Sequence, residues 1–202
     1  MLINFGISKT NCSIIFNLNG NYTIQNNSMT IQGSNWNGQA HFPNGIQTLF
    51  LNNTWYLNKQ IKIPNSVTST SNAFRNSSIF NQNIKIPNSV TNTSNMFSGC
   101  NNFNQNIQMP NSVTNTSYMF GSCYNLNQNI QIPNSVIDTS GMFSSCSNFN
   151  QNIQIPDSVT DMRGMFAYCS KLNKPIRIPA NVITLANMFN SCNNFNSSVI
   201  IS

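Results

Sequence analysis

Catalysis and metal binding need titratable side chains, and this chain of 202 residues has few of them. Its three acidic residues are Asp138, Asp157 and Asp161, and His41 is its one histidine. Asp138 and Asp161 are separated by 23 positions, a spacing that recurs through the chain, so they should sit side by side in neighbouring units. Two carboxylates so placed could hold a calcium ion or run glycoside hydrolysis. Asn115 fills the same place one unit earlier, however, which suits a turn position where Asn and Asp serve equally. Arg163 is also close enough to neutralise Asp161. No Gly-rich phosphate loop and no Ser/His/Asp arrangement accompanies the pair, so the residues point to no catalytic site and no enzyme.

Cysteine is the other reactive type. Cys100, Cys123, Cys146, Cys169 and Cys192 recur at the same spacing of 23 and would form a column in stacked units. Units stacked about 4.7–5 Å apart bring Cα atoms within disulfide range. The side chains would run parallel, however, which is poor geometry for a bridge. Buried free thiols are therefore expected, cysteine being a small core residue. A zinc site would need a close Cys pair or a second histidine. Neither metal nor cofactor is expected, and Cys12, outside the column, reads as core.

The elements that position these groups come from a repeat. "FNQNIKIPNSVTNTSNMFSGCNN" is followed at once by "FNQNIQMPNSVTNTSYMFGSCYN". Pro64 to Pro179, Val67 to Val182 and Phe74 to Phe189 each recur every 23 residues without insertion. Constant spacing means each unit makes the same turn of a stacked array. Units this short suit one coil of a leucine-rich-repeat-like β-solenoid. Units begin at about residues 36, 57, 80, 103, 126, 149 and 172, with a partial unit from 195. The first is a degraded unit of 21 residues in which Trp36 takes the Phe80 place. Residues 1–35 read as an N-terminal β cap with a hairpin around Asn19-Gly20.

Within a unit, "NIQIP" alternates polar and apolar residues, as a half-buried strand does, and proline ends it. Ile84 and Ile86 should point inward. Lys62, Lys85, Gln108, Gln131, Gln154 and Arg177 should point outward as a ladder along one face. "SVT" reads as a second short extended piece with its valine inward. "TSNMFSGC" reads as one helical or 3₁₀ turn that plugs Met96 and Phe97 into the core. Tyr118, Tyr124 and Tyr168 replace small polar residues and should be exposed, where they could stack on a sugar or anchor an interface. At the end, "FNSSVIIS" repeats the strand with Val199 and Ile201 at the inward places and no polar cap after it. Terminal coils need covering, so this end is expected to dock on another subunit or protein, a homo-oligomer being one form.

Composition limits the function classes. Charged residues are 6% of the chain, and asparagine fills about a fifth of it. Such a bias fits disorder or an ordered amide ladder, and the fixed apolar columns favour order. The net charge of +6 comes from nine scattered basic residues, too sparse a patch for nucleic acid. No segment has the length of a membrane-spanning helix. "MLINFGISKTNCSIIF" lacks the basic start and unbroken apolar run of a signal peptide. The expectation is a cytoplasmic protein, or one released by lysis or within a particle.

"IPNSVT" followed by Met-Phe, "SGC" and "NNF" resembles the BspA-like leucine-rich repeats of bacterial and protist surface proteins. "FNQNI" with "VTNTSNMF" and "VIDTSGMF" resembles the related repeat of mycoplasma-type surface lipoproteins. The resemblance covers residues 36–202 and implies a non-enzymatic, surface-exposed module that binds host matrix, cells or other proteins. It carries no catalytic residues. The family is usually larger and bears export signals or anchors. A phage virion component would reconcile the repeat with the missing export signal. The expected function is thus a structural or adhesive scaffold on a virion or cell surface, meeting a protein subunit or a host surface protein or glycan. The alternative is a carbohydrate-binding module using the polar ladder and the tyrosines.

Overall fold

Short units with apolar residues at fixed places can bury them only against the units above and below. The computed structural model is such a stack, and it describes residues 21–25, 28–32, 45–51 and 60–202. The regular strands are few: β1 Asn21–Gln25, β2 Ser28–Gln32, β3 Thr48–Phe50, β4 Ile176–Ile178 and β5 Val199–Ile201. β1 and β2 pair antiparallel, and β2 pairs parallel with β3. β4 and β5 pair parallel in a separate two-stranded sheet. Single parallel bridges then run down the stack from Thr48 through Ser69, Asn92, Asn115, Asp138 and Asp161 to Thr184. The hairpin expected at Asn19-Gly20 and the unit starts near 36 and 57 fall outside the described residues, apart from β1 itself.

The core is one continuous set of columns. Ile84, Ile86, Val90, Met96, Phe97 and Cys100 of one unit are buried, and so are their equivalents in the three units that follow. Phenylalanine rings stack almost parallel, at 5.5 Å for Phe74–Phe97, 5.7 Å for Phe97–Phe120 and 5.8 Å for Phe120–Phe143. A fully buried side chain of this size contributes about 1.5–3 kcal/mol. Polar side chains stitch coil to coil. Ser89 Oγ donates to the Val67 carbonyl at 2.6 Å and Ser112 Oγ to that of Val90 at 2.7 Å. Thr93 Oγ1 donates to Asn115 O at 3.1 Å and Thr139 Oγ1 to Asp161 O at 2.9 Å, which satisfies hydroxyls that are fully buried.

Two local expectations are corrected. The "NIQIP" segment keeps its alternation, with Lys85 exposed between buried Ile84 and Ile86, but it makes a paired strand only at β4 and β5. Just before this segment an asparagine side chain of one coil accepts an N–H of the next, in the β4 and β5 units as in the others. Asn104 N–H donates to Asn81 Oδ1, Asn127 N–H to Asn104 Oδ1 and Asn150 N–H to Asn127 Oδ1, each at 2.9 Å. Part of the asparagine bias is therefore a structural ladder.

The second correction concerns "TSNMFSGC", which is no helical turn. Its backbone enters the left-handed region twice per unit, at Asn95 (φ 55°) and Gly99 (φ 76°) and again at Tyr118 (51°) and Ser122 (59°). Residues in that region do not continue a right-handed helix. Alternate N–H groups bond within the turn, as Met96 N–H does to Thr93 O at 3.1 Å. The others reach the next coil: Thr93, Asn95, Phe97 and Gly99 donate to Asn115, Ser117, Met119 and Gly121 carbonyls at 2.7–3.0 Å. This part of every coil points its N–H groups one way along the stack and its carbonyls the other.

Candidate functional site

The turn explains the aspartates. Asn92 and Asn115 each accept the N–H two residues on through Oδ1, at 2.9 Å. Asp138 does the same for Ser140 at 2.8 Å and Asp161 for Arg163 at 3.0 Å. The structure does bring the pair together, as bridge partners in adjacent coils. Asp161 is also clamped by Arg163, whose Nε donates to Oδ1 and Oδ2 at 3.1 and 2.9 Å and whose Nη2 donates to Oδ2 at 2.6 Å. Burial opposes ionisation of Asp161, but the hydrogen bonds and charge of Arg163 outweigh it and hold the carboxyl below its ordinary range. Among the described residues no group of three or more His, Cys, Asp or Glu gathers to hold a metal ion. His41 and Cys12 lie outside those residues.

The column cysteines are free. Each thiol donates to a phenylalanine carbonyl of the coil before, as Cys123 Sγ does to Phe97 O at 3.1 Å and Cys146 Sγ to Phe120 O at 3.0 Å. Burial pushes the thiols of Cys100, Cys123, Cys146 and Cys169 far up, so they stay protonated and unreactive. Cys192 is only partly buried, and burial raises it too.

The outward ladder is less uniform than its sequence. Lys62, Lys85, Gln108, Gln131 and Gln154 are exposed. Gln131 Nε2 turns back to Asn129 Oδ1 at 2.9 Å. Arg177 is a brace: it donates through Nη2 to Asp157 Oδ1 at 2.6 Å, through Nε to Ser202 Oγ at 2.7 Å and through Nη1 to Ile155 O at 3.2 Å. Tyr118, Tyr124 and Tyr168 are all about half exposed. They do not form one cluster by sequence position, since each occupies a different place in its unit. Val199 and Ile201 lie on β5 at the last coil, exposed at 43% and 75%.

Two features escaped the reading of the sequence. One is the set of unit positions that depart from the repeat around Tyr118, namely Ile137, Gly141 and Gly164; aligning the units column by column would have shown them. The other is the one-way bonding of the turn, which depends on left-handed residues that no pattern in Ser, Asn, Tyr and Gly announces.

These coils, columns and turns define a repeat solenoid of the leucine-rich-repeat type. A leucine-rich repeat protein from Bacteroides ovatus ATCC 8483 matches with a TM-score of 0.63 at 20% identity, over 99% of this chain and 53% of the other. The leucine-rich repeat protein TpLRR of T. pallidum matches with a TM-score of 0.61 at 20% identity, over 90% of this chain and 83% of the other. At that identity the likeness is one of fold, and the chain spans about half the length of the Bacteroides protein. The chain belongs to the family described as "Mycoplasma protein of unknown function, DUF285", which matches residues 44–154 and 132–201. No curated protein matches. Among the described residues, no helix is long and apolar enough to cross a membrane.

Proposed function

We propose that the chain is a non-catalytic scaffold for recognition and assembly, displayed on a cell surface or a virion. Its titratable groups support this reading, since Asp161, Arg163, Asp157 and Arg177 are tied to one another as turn and brace contacts. The resemblance to surface-lipoprotein repeats supports the cell-surface setting. The lateral ladder of Lys62, Lys85, Gln108, Gln131 and Gln154 is a polar face open to a protein or glycan partner.

One observation carries the assembly reading. Met162, Gly164, Phe166 and Tyr168 N–H donate to the carbonyls of Thr184, Ala186, Met188 and Asn190 in the next coil at 2.7–3.1 Å. The equivalent N–H groups of Leu185, Asn187, Phe189 and Ser191 have no such acceptor among the described residues. Beside them Val182, Phe189 and Phe195 are partly uncovered, and Val199 and Ile201 are exposed. A face of donors and apolar columns fits a partner that offers carbonyls, as a coil of the same repeat does from its other side. Two copies meeting face to face would set donor against donor. The docking partner is therefore a coil of matching polarity, supplied by further chain or by another subunit.

Light scattering tests this. The full chain should show a mass above 22.5 kDa, and Leu185→Lys, which puts a charge in the open donor face, should be monomeric. A monomeric full chain would contradict docking of one copy on another through this end.

A further inference from the structure

A repeat that is written alike in every unit makes its exceptions visible. The outward turn place held by Asn72, Asn95 and Asn187 carries Tyr118, Gly141 and Gly164 in three consecutive units. The place of Ser94, Ser117 and Ser140 carries Arg163, that of Asn92 and Asn115 carries Asp138 and Asp161, and that of Thr91 and Thr114 carries Ile137. All of these fall on one turn of adjacent coils. The backbone fixes them as neighbours: Tyr118 N–H donates to Ser140 O at 2.8 Å and Gly141 N–H to Arg163 O at 2.7 Å.

The side chains fit one another. The Tyr118 ring lies over Gly141, where any side chain would collide with it. Gly141 has φ 58°, yet asparagine holds the same conformation at Asn95 and Asn187 (φ 55° and 59°). The backbone therefore does not demand glycine there; the ring does. Tyr118 remains 48% exposed, so its other face meets solvent. Beyond it Gly164 leaves open floor, with only the Ala167 Cβ within 4 Å of the place a side chain would start. Arg163 stands beside that floor, held in one orientation by Asp161, with its Nη1 free of protein partners among the described residues. Asp138 Oδ1 accepts the Ser140 N–H, and no bond to its Oδ2 occurs among the described residues.

We infer that the Tyr118–Gly141–Arg163 shelf binds the ring of a neutral saccharide. A pyranose has an apolar CH face that lies on an exposed aromatic ring and a rim of hydroxyls that a carboxylate and a guanidinium can bond. Glycine floors let the ring approach, and no deep pocket is needed. A nucleobase would also stack on the tyrosine, but a nucleic acid needs a basic groove for its phosphates; here two carboxylates flank one guanidinium. An apolar peptide side chain would leave the open positions at Arg163 Nη1 and Asp138 Oδ2 unused. This inference goes beyond the assembly reading and does not depend on it.

The repeat itself supplies the test. Tyr118→Asn and the double variant D161N/R163S restore residues that other units already carry, so the coil geometry is kept. The fluorescently labelled full chain is screened on an array of neutral glycans and the strongest hit is titrated. The parent should bind, Tyr118→Asn and D161N/R163S should each weaken binding at least tenfold, and Tyr124→Ser should bind within twofold of the parent. The inference is overturned if no neutral glycan binds the parent. It is also overturned if both restoring variants bind as well as the parent, or if the loss follows Tyr124→Ser instead.

Discussion

The coil at residues 149–171 and the coil that follows it carry the same columns with opposite fates. Val159, Phe166 and Cys169 are fully buried, whereas Val182, Phe189 and Cys192 are partly open. Buried Met162 is replaced by Leu185, exposed at 38%, and Thr160 by Ile183, exposed at 85%. The turn of the first coil hands its N–H groups to the second, and the second hands on none within the described residues. Residue type does not separate the two coils; a covering neighbour does. A coil is a row of half-sites, and stability resides in the steps between coils rather than within them.

The sharpest way to break this comparison is to remove the same side chain from both settings. Phe120→Ala, between Phe97 and Phe143, should cost about 3–5 kcal/mol. Phe189→Ala should cost less than half as much, because its ring is only partly buried and, though stacked on Phe166 and Phe195, meets no ring of a following coil. Urea unfolding of the two variants checks this, and equal losses would show that stacking is not what distinguishes the coils.

Thiol chemistry gives a second contrast. Of the column cysteines, Cys192 should be alkylated first, while Cys100, Cys123, Cys146 and Cys169 react only as the stack unfolds, since burial keeps those thiols protonated. Peptide mapping after iodoacetamide treatment reads the order. Rapid labelling of Cys146 in the folded chain would contradict the buried column.

The asparagine ladder gives a smaller difference. Asn104 Oδ1 accepts from Asn127 N–H at 2.9 Å and from Gln128 Nε2 at 3.2 Å. Asn104→Ala should destabilise by about 1 kcal/mol, measured as a shift in the urea midpoint. Asn196→Ala, at the last coil, should be nearly neutral because no described residue donates to its side chain.

The smallest effect is in acid. The folded pKa of Asp161 is depressed, so its ion pair stabilises the fold above the ordinary carboxylate range, and that contribution is lost as pH falls through the lower folded value. D161N should therefore flatten the fall in Tm between about pH 5 and pH 2. An unchanged slope would show that the pair with Arg163 does not contribute.

Much of the core was legible. Ile84, Ile86, Val90, Phe97 and the cysteine column are buried because period and apolarity together leave them no other place. The backbone between them was less legible. The alternation of "NIQIP" predicts a ladder strand, but outside β4 and β5 the segment runs extended without strand pairing, and an asparagine side chain just before it links the coils. Thr and Ser at the head of "TSNMFSGC" predict a helical turn, while in the structure its left-handed residues turn alternate N–H groups onto the next coil. The ladder face shows the same limit. Arg177 shares a sequence column with Gln154, yet its partners Asp157 and Ser202 make it a brace, and those contacts arise from three-dimensional neighbours that spacing alone does not rank.

The most direct measurement is amide hydrogen exchange on the full chain, at a dilution where light scattering shows a monomer. Step-wise bonding predicts that Met162, Gly164, Phe166 and Tyr168 are protected while Leu185, Asn187, Phe189 and Ser191 exchange at least a hundredfold faster. Equal protection of the two sets in the monomer would contradict the claim that each coil is held by the coil stacked on it.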